Sequence, residues 1–198
     1  MVRRMPRMLP WIWLNLLVED IENQRMPEYV LEDRINKPWR LLPSNRLTPK
    51  EAQIWLFTAI IVAVGVSVMV GGFTPSVSLL VLVWMYNNLD DSRYNIWLRN
   101  GLNAAGLMCF NWGALSVLSS GDLLPRVKAW ILITGAINVT TIHAQDLPDM
   151  DGDQARQRQT IPLLHGQGVT RQSLAGMGLF WFIACPISWG YHYGATAG

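Results

Sequence analysis

Apolar residues gather in six runs along the chain, separated by polar segments in which most of the charged residues lie. The runs cover about residues 8–18, 52–70, 76–86, 102–118, 129–144 and 173–189. A helix needs roughly 20 apolar residues to cross a bilayer, and the first and third runs fall short of that length. The pattern nevertheless predicts an all-α protein, a polytopic bundle of about six membrane helices.

Local signals place some of the helix ends. Thr48 followed by Pro49 and Glu51 predicts the start of the second long helix, because Thr caps a helix and Pro suits its first position. The polar stretch of residues 25–53 is punctuated by prolines and is predicted to be a loop up to that cap. A second loop is predicted over residues 163–172, before the last run.

Composition and charge support a membrane location. Charged residues make up 15% of the chain and hydrophobic residues 51%, whereas soluble domains average roughly a quarter charged residues. If the crossings alternate, the polar segments near residues 20–50, 87–101 and 145–171 share one side. They carry eleven of the 16 Lys and Arg residues, so this side is predicted to be cytosolic. The basic tail at residues 3–7 disagrees, which an upstream helix would explain. Basic residues confined to short loops favour no nucleic-acid partner.

Aspartates dominate the segment that follows the fifth run. Asp146, Asp149 and Asp153 are spaced i, i+3 and i+7, so they share one face of a helix. Close carboxylates in an apolar setting favour a hard divalent cation such as Mg²⁺, which commonly bridges to substrate phosphates. A solvated acidic loop explains the same residues, and the segment by itself leaves both interpretations open. An EF-hand is excluded, because Gln154 and Thr160 stand where that loop needs Gly and Glu.

A second polar group closes the first run. Asn15, Glu19 and Asn23 are spaced i, i+4 and i+8, with Asp20 on an adjoining face. Their oxygens suit a cation as well. The alternative is a helix end that reaches the lipid headgroups, where acidic residues are ordinary.

Together these segments resemble the UbiA superfamily of intramembrane prenyltransferases. Residues 146–153 follow its D-x-x-D-x-x-G-D pattern, and Thr160, Ile161 and Pro162 match the Thr–Leu/Ile–Pro tripeptide that comes after it. The loop of residues 32–48 resembles the family's loop after its first motif. The matching residues there are Asn36, Lys37, Pro38, Arg40, Pro43 and Ser44.

The resemblance implies a fold and a ligand set. Family members are bundles of usually nine membrane helices, and residues 1–198 are expected to be one such domain that begins inside the second helix and lacks the first and last helices. Mg²⁺ would be held by Asn15, Glu19, Asp20, Asn23, Asp146, Asp149 and Asp153. Lys37 and Arg40 would bind diphosphate, although anchoring at the cytosolic face explains these two basic residues equally well.

The implied activity is ionisation of an isoprenyl diphosphate, such as farnesyl or geranylgeranyl diphosphate, inside a lipid bilayer. The resulting cation is captured by a small-molecule acceptor or by its own double bonds. The first motif departs from the family's N-D-x-x-D-x-x-x-D, with Glu19 and Asn23 in place of aspartates, and resembles fungal terpene cyclases of this superfamily. That kinship favours cyclisation and an endoplasmic-reticulum membrane.

Aromatic side chains within the runs are candidates for contacting the cation: Trp84, Tyr86, Trp112 and Trp181. Two other functions compete with the enzyme. One is a truncated, non-catalytic membrane protein of the same family, which fits the missing helices and the weaker first motif. The other is a transporter, which fits less well because the acidic residues lie at the ends of the runs and not at mid-bilayer.

Overall fold

The computed structural model describes residues 2–89, 95–119 and 122–194, with side chains over 3–89, 95–119 and 122–190. Every regular element in these ranges is a helix, which confirms the all-α prediction. The α-helices are α1 (Met5–Arg25), α2 (Pro27–Asn36), α3 (Pro49–Val70), α4 (Phe73–Asn88), α5 (Ile96–Ser119), α6 (Pro125–Thr141), α7 (Met150–Ala155) and α8 (Ile161–Gly194). Two 3-10 turns cover Val2–Arg4 and Ile142–Asp146.

Four of the described helical segments are long and apolar enough to cross a membrane. They are Pro49–Val70, Ile96–Ser119, Pro125–Asp146 and Ile161–Gly190. Their outer faces expose large apolar side chains, among them Met69 at 84% and Phe182 at 79%. A water-soluble surface rarely carries such a continuous apolar face, and lipid is the solvent that suits it.

Neighbouring helices pack pairwise through the bundle. α1 lies along α3, where Leu14 and Val18 meet the short side chains of Ala59 and Ala63. Small residues let two helices approach closely, which is how membrane helices commonly gain contact area. α4 packs on α5, α5 on α6, and α6 on α8.

Trp11 holds together the end of the bundle at which α3 gives way to α4. Its side chain is fully buried, and its Nε1 donates to the Gly72 carbonyl oxygen at 3.3 Å. The ring meets Phe110 edge to face, and a Cβ added at Gly113 would overlap the indole. Glycine at position 113 therefore provides the space that the tryptophan fills.

The predicted start of α3 is confirmed. Thr48 Oγ1 accepts from the Glu51 backbone N–H, and the Glu51 carboxylate accepts from the Thr48 backbone N–H, which completes a capping box. The helix ends at Gly71, whose φ of +92° suits glycine.

Two predicted loops were wrong in part. Residues 27–36 form α2, which begins with Pro27 at its first position. The buried face of α2 is polar (Glu32, Asp33), so no apolar stripe marked it as a helix. Residues 163–172 belong to α8, interrupted only by Gly166 at φ +83°.

The polar segments near residues 20–50 and 145–171 meet at one end of the bundle, as the alternation of crossings predicts. Asn36 of the first segment donates from Nδ2 to the Asp149 carbonyl oxygen of the second at 3.0 Å. Residues 90–94 of the third segment, including Arg93, lie outside the described residues.

Candidate functional site

A polar cavity of about 190 Å³ lies where the end of α1, α2, the ends of α4 and α5, and the segment from Gln145 to Arg158 come together. Seven of the nine predicted site residues line it: Glu19, Asn23, Lys37, Arg40, Asp146, Asp149 and Asp153. The other lining residues are Tyr29, Glu32, Asp33, Tyr86, Asn103, Gln145 and Arg158. The two acidic segments are thus brought to one cavity, although more than 120 residues separate them.

The three predicted ligands of the second segment each have a basic partner. Asp146 is 4% exposed, and its Oδ2 lies 2.7 Å from Nη2 of the buried Arg99. Asp149 Oδ2 lies 2.8 Å from Lys37 Nζ. Asp153 Oδ1 lies 3.2 Å from Arg158 Nη1. Buried carboxylates need such counter-charges, because an isolated ion is costly to remove from water.

Asn36 fixes the position of α7, the short helix that contains Asp153 and directly follows Asp149. Its Nδ2 donates to the Asp149 carbonyl oxygen, and its Oδ1 accepts from the Gly152 backbone N–H at 3.1 Å. A Cβ added at Gly152 would overlap the Asn36 amide. Glycine in the D-x-x-G-D pattern therefore lets the end of α2 dock directly on α7.

Asp153 is the most buried of the predicted ligands, with no measurable exposure. Its Oδ2 has no hydrogen-bond partner among the described residues. Burial raises the pKa of the Asp153 carboxyl to about 6, although the adjacent Arg158 opposes the shift. A buried carboxylate oxygen without a partner, in a residue that lines a cavity, is a group that a cation would stabilise.

The first segment divides between two environments. Glu19 and Asn23 line the cavity. Asn15 does not: it is buried, its Oδ1 accepts from Ser76 Oγ at 2.6 Å, and its Nδ2 donates to the Trp11 carbonyl oxygen at 2.8 Å. Asp20 is largely exposed at the rim, with Oδ1 3.8 Å from Arg40 Nη2. The geometry therefore groups Glu19 and Asn23 with the aspartates and leaves Asn15 and Asp20 outside.

Arg40 is committed to a carboxylate that the sequence did not single out. Its Nη1 donates to both oxygens of Asp33, at 3.0 Å and 2.9 Å. Burial raises the pKa of the Asp33 carboxyl, and the hydrogen bond from Arg40 works against that shift. Glu32, the preceding residue on α2, accepts from Arg156 Nη1 at 3.0 Å.

Arg158 joins several parts of the cavity. Besides Asp153, its guanidinium lies 3.7 Å from Glu32 Oε1 and donates from Nη2 to the Tyr86 hydroxyl at 3.1 Å. Arg156 lies over the Tyr29 ring at 3.5 Å. Sequence reasoning missed these arginines, together with Glu32, Asp33 and Tyr29. A weak signal existed, since both arginines lie between the aspartates and the Thr–Ile–Pro tripeptide.

The four aromatic candidates separate clearly. Tyr86 lines the cavity and also a narrow crevice of about 20 Å³ between α4 and α5, which Glu19 and Asn23 of α1 line as well. Trp84 is 55% exposed on the outside of the bundle. Trp112 lines a different, apolar cavity of about 620 Å³ between α5 and α6. Trp181 donates from Nε1 to Thr140 Oγ1 at 2.9 Å.

The side chains of the cavity fit Mg²⁺ only if the substrate supplies some of the metal's ligands. Within the described ranges, no group of three or more His, Cys, Asp or Glu side chains is arranged to hold a metal ion alone. Mg²⁺, however, is usually bound through one or two carboxylates, water and substrate phosphates. The unpaired oxygen of Asp153 and the neighbouring Glu19 and Asp149 suit that mode of binding.

The chain belongs to the UbiA prenyltransferase family, whose model matches residues 28–198. The apolar helices agree with this assignment, and the protein is an integral membrane protein of the helical UbiA type.

Curated relatives include fungal and bacterial terpene synthases. Fumagillin beta-trans-bergamotene synthase of Aspergillus fumigatus is 34% identical over 184 residues, 90% of this chain and 61% of that protein. A diterpene cyclase of Hericium erinaceus is 30% identical over 68% of this chain and 44% of its own length. Somaliensene A/B synthase of Streptomyces somaliensis is 31% identical over 85% of this chain and 55% of its own length. The chain thus spans about half the length of these relatives. No solved structure matches it.

Proposed function

We propose that the protein ionises an isoprenyl diphosphate in the membrane in a Mg²⁺-dependent reaction, as a UbiA-type prenyltransferase or terpene cyclase. The observation that carries this proposal is the meeting of two acidic segments in one cavity with Lys37 and Arg158. Single acidic loops are common, but a cavity that combines carboxylates from two distant segments of the chain with cations suits a ligand that is itself a metal–diphosphate complex.

One or two of the cavity carboxylates Glu19, Asp149 and Asp153 would hold the metal ion together with the diphosphate, with Asp146 in the same cavity. The positive charge of Mg²⁺ held by these residues would offset the negative charge that grows on the leaving group. The aspartates are positioned before the ligand arrives, because Asn36 fixes their backbone and Arg99 fixes Asp146. Pre-positioned groups need little reorganisation during the reaction, which is how a site favours its transition state.

We assign Lys37 and Arg158 to contact with the diphosphate, because both line the cavity and each has further N–H donors besides those in its ion pair. In the reaction the allylic C–O bond breaks, and its electron pair leaves with the diphosphate. Cations within hydrogen-bonding reach of those oxygens stabilise the departing charge. The carbon left behind is an allylic cation, and an aromatic face stabilises such a charge in a dry environment. Tyr86 lies where the polar cavity meets the crevice between α4 and α5, so its ring is the aromatic group that we assign to this role.

Cyclisation is the fate of the cation that we favour. Two of the relatives are named for products or activities of terpene cyclisation, a bergamotene synthase and a diterpene cyclase. Their names fit farnesyl or geranylgeranyl diphosphate as the substrate here. A transferase that uses a small-molecule acceptor is the nearest variant, since a polyprenyl transferase of Hericium erinaceus is 30% identical over 79% of this chain. The proposed location is the endoplasmic-reticulum membrane.

A non-catalytic role for the chain is the second candidate. The observation that favours it is the pairing of the cavity carboxylates with Arg and Lys side chains, which neutralise the site without a metal ion. A protein that had lost its ligand would keep such ion pairs for structural reasons alone.

Diphosphate release distinguishes the two candidates. Membranes that contain the 198-residue chain would be given farnesyl or geranylgeranyl diphosphate with Mg²⁺, and volatile products would be analysed in parallel. The test variant combines Asp149→Ala with Asp153→Ala. The matched control is Asp151→Ala, because Asp151 lies on the same short helix but is exposed and outside the cavity.

Release that needs Mg²⁺, survives in the control and disappears in the double variant would establish the enzyme. A terpene formed without an acceptor would identify a cyclase, and release only in the presence of an acceptor would identify a transferase. No release with either substrate, with or without acceptors, would favour the non-catalytic role.

A further inference from the structure

The orientation of the Asn23 side chain follows from its neighbours. Asn87 of α4 places its Nδ2 2.9 Å from the Val83 carbonyl oxygen and 2.8 Å from Asn23 Oδ1. A carbonyl oxygen can only accept, so the Asn87 atom beside Val83 has to be the NH₂ group. The second N–H of the same nitrogen then faces Asn23, which has to present its oxygen.

This arrangement determines which end of Asn23 remains for a ligand. Turning the Asn23 amide over would set one NH₂ group against another, which loses the hydrogen bond and opposes two donors. Asn23 lines the cavity, the adjoining crevice and an open depression beside them. Its Nδ2 has no partner among the described residues and is not fully buried. The free end of the amide is therefore a donor.

The cations of the cavity contrast with this free donor. Lys37 is paired with Asp149, Arg40 with Asp33, and Arg158 with Asp153. A diphosphate oxygen can accept from Asn23 without breaking any of these ion pairs. Asn103 and Gln145 bring further amides to the cavity, but no described contact fixes which end of either one faces inward.

We infer that Asn23 binds a diphosphate oxygen as a hydrogen-bond donor and does not serve as a Mg²⁺ ligand, and that Asn87 is the residue that positions it. The inference rests on the proposed function and revises one ligand implied by the family resemblance. It concerns this chain in particular, because an aspartate in place of Asn23 would have no donor to offer.

Asn23→Asp distinguishes a metal ligand from a hydrogen-bond donor, because the two roles predict opposite changes in the affinity for Mg²⁺–diphosphate. A metal ligand becomes stronger when an amide is replaced by a carboxylate, so Asn23→Asp would then bind Mg²⁺–diphosphate as well as or better than the parent. A donor role predicts the reverse, a loss of about tenfold in affinity, because a charge-assisted hydrogen bond is replaced by repulsion. The measurement is calorimetric titration of inorganic diphosphate with Mg²⁺ into the purified chain in detergent. Asn45→Asp, in the exposed loop before α3, is the matched control.

Titration without metal provides a second, independent result that does not require an added charge. If Asn23 only ligated Mg²⁺, then Asn23→Ala would leave the metal-free affinity for inorganic diphosphate unchanged. The donor role predicts that this affinity falls by about tenfold. Unchanged metal-free binding in a folded Asn23→Ala variant would overturn the inference.

Asn87 is tested as a positioning residue through a double-mutant cycle. Asn87→Leu is expected to weaken diphosphate binding in the parent and to have no further effect in the Asn23→Ala background. Equal losses in both backgrounds would show that Asn87 acts on folding alone and would remove it from the inference.

Failure of the inference and failure of the proposed function give different results. If the parent chain itself binds no Mg²⁺–diphosphate, the proposed function is wrong. If the parent binds and Asn23→Asp binds equally well or better, only the role of Asn23 is wrong.

Discussion

At the end of the bundle that holds Trp11, helices pack through aromatic rings against glycines. At the opposite end they meet through buried ion pairs. Trp11 fills the spaces left by Gly72 and Gly113, and its burial stabilises the fold directly. At the cavity, Arg99 and Asp146 are both nearly inaccessible to solvent. Buried ion pairs seldom stabilise a protein more than apolar packing of the same volume would. The apolar end is therefore expected to contribute more to stability than the polar end does.

Removing one partner of a buried ion pair should have the largest effect. Arg99→Met leaves the Asp146 carboxylate buried without its counter-charge, and we expect the free energy of unfolding to fall by about 4 kcal/mol. Denaturant unfolding in detergent would measure it, with the exposed Lys128→Met as the control. A loss no larger than that of the control would mean that the ion pair does not hold the polar end together.

Removing the charge of Asp153 should, in contrast, raise the free energy of unfolding. Its pKa is about 6 when folded, against 3.8 for the free carboxyl. The folded state therefore binds more protons between these values, and ionisation of this group costs about 3 kcal/mol of stability once the pH exceeds 6. An asparagine side chain at this position would keep an acceptor for Arg158 without the charge. Arg158 would still have a counter-charge in Glu32, whose Oε1 lies 3.7 Å away, so this change does not leave a buried ion alone as Arg99→Met does.

We expect Asp153→Asn to be more stable than the parent at pH 7 by up to about 3 kcal/mol, and the difference to shrink as the pH falls towards 4. Unfolding measured at both pH values, without metal, tests this expectation. The exposed Asp151→Asn is the matched control. A difference that is constant with pH would contradict the assigned titration.

At the apolar end, the sensitive change is the addition of a single methyl group. Gly113→Ala would push a Cβ into the Trp11 indole and should lower the free energy of unfolding by about 2 kcal/mol, because a rigid ring in a close-packed site cannot move aside easily. Gly106→Ala on the same helix is the matched control, since its nearest neighbour would be Leu79 Cδ1 at 3.7 Å. Equal stability of the two variants would contradict the packing role of Gly113.

The smallest effect is expected where the two segments of the site dock. Gly152→Ala would displace the Asn36 amide and weaken its two hydrogen bonds, which should lower the free energy of unfolding by about 1 kcal/mol. Binding of inorganic diphosphate should weaken as well, because α7 carries Asp153. Gly168→Ala has open space around its added Cβ and serves as the control. Unchanged diphosphate affinity would show that the docking does not position the aspartates.

Local patterns in the sequence predicted what depends on nearby residues. The Thr48 cap follows from three neighbouring residues, and the all-helical bundle follows from the apolar runs. Both predictions are confirmed. The prediction that the aspartates share one face of a single helix was wrong, because a 3-10 turn ends at Asp146, Asp149 precedes α7, and only Asp153 lies within α7. All three nevertheless line one cavity.

What the sequence did not reveal depends on distant partners. Arg99 and Arg156 looked like ordinary basic residues of cytosolic loops until the fold set them against Asp146 and Glu32. α2 was missed for a related reason. Its buried face includes Glu32 and Asp33, whose burial depends on ion pairs with Arg156 and Arg40 outside the helix. Asn15 has the right spacing for the first motif, but its amide is used by Ser76 of another helix.

The long separation in sequence between the two segments that dock at Asn36 and Gly152 also has a consequence for biosynthesis. A ribosome adds roughly 5–20 residues per second, and Arg156 follows its partner Glu32 by 124 positions. Glu32 is therefore made roughly 6 to 25 s before the arginine that neutralises it. During that interval Glu32 lacks this partner, so the ion pair that joins the two segments forms only after the helices between them have been synthesised.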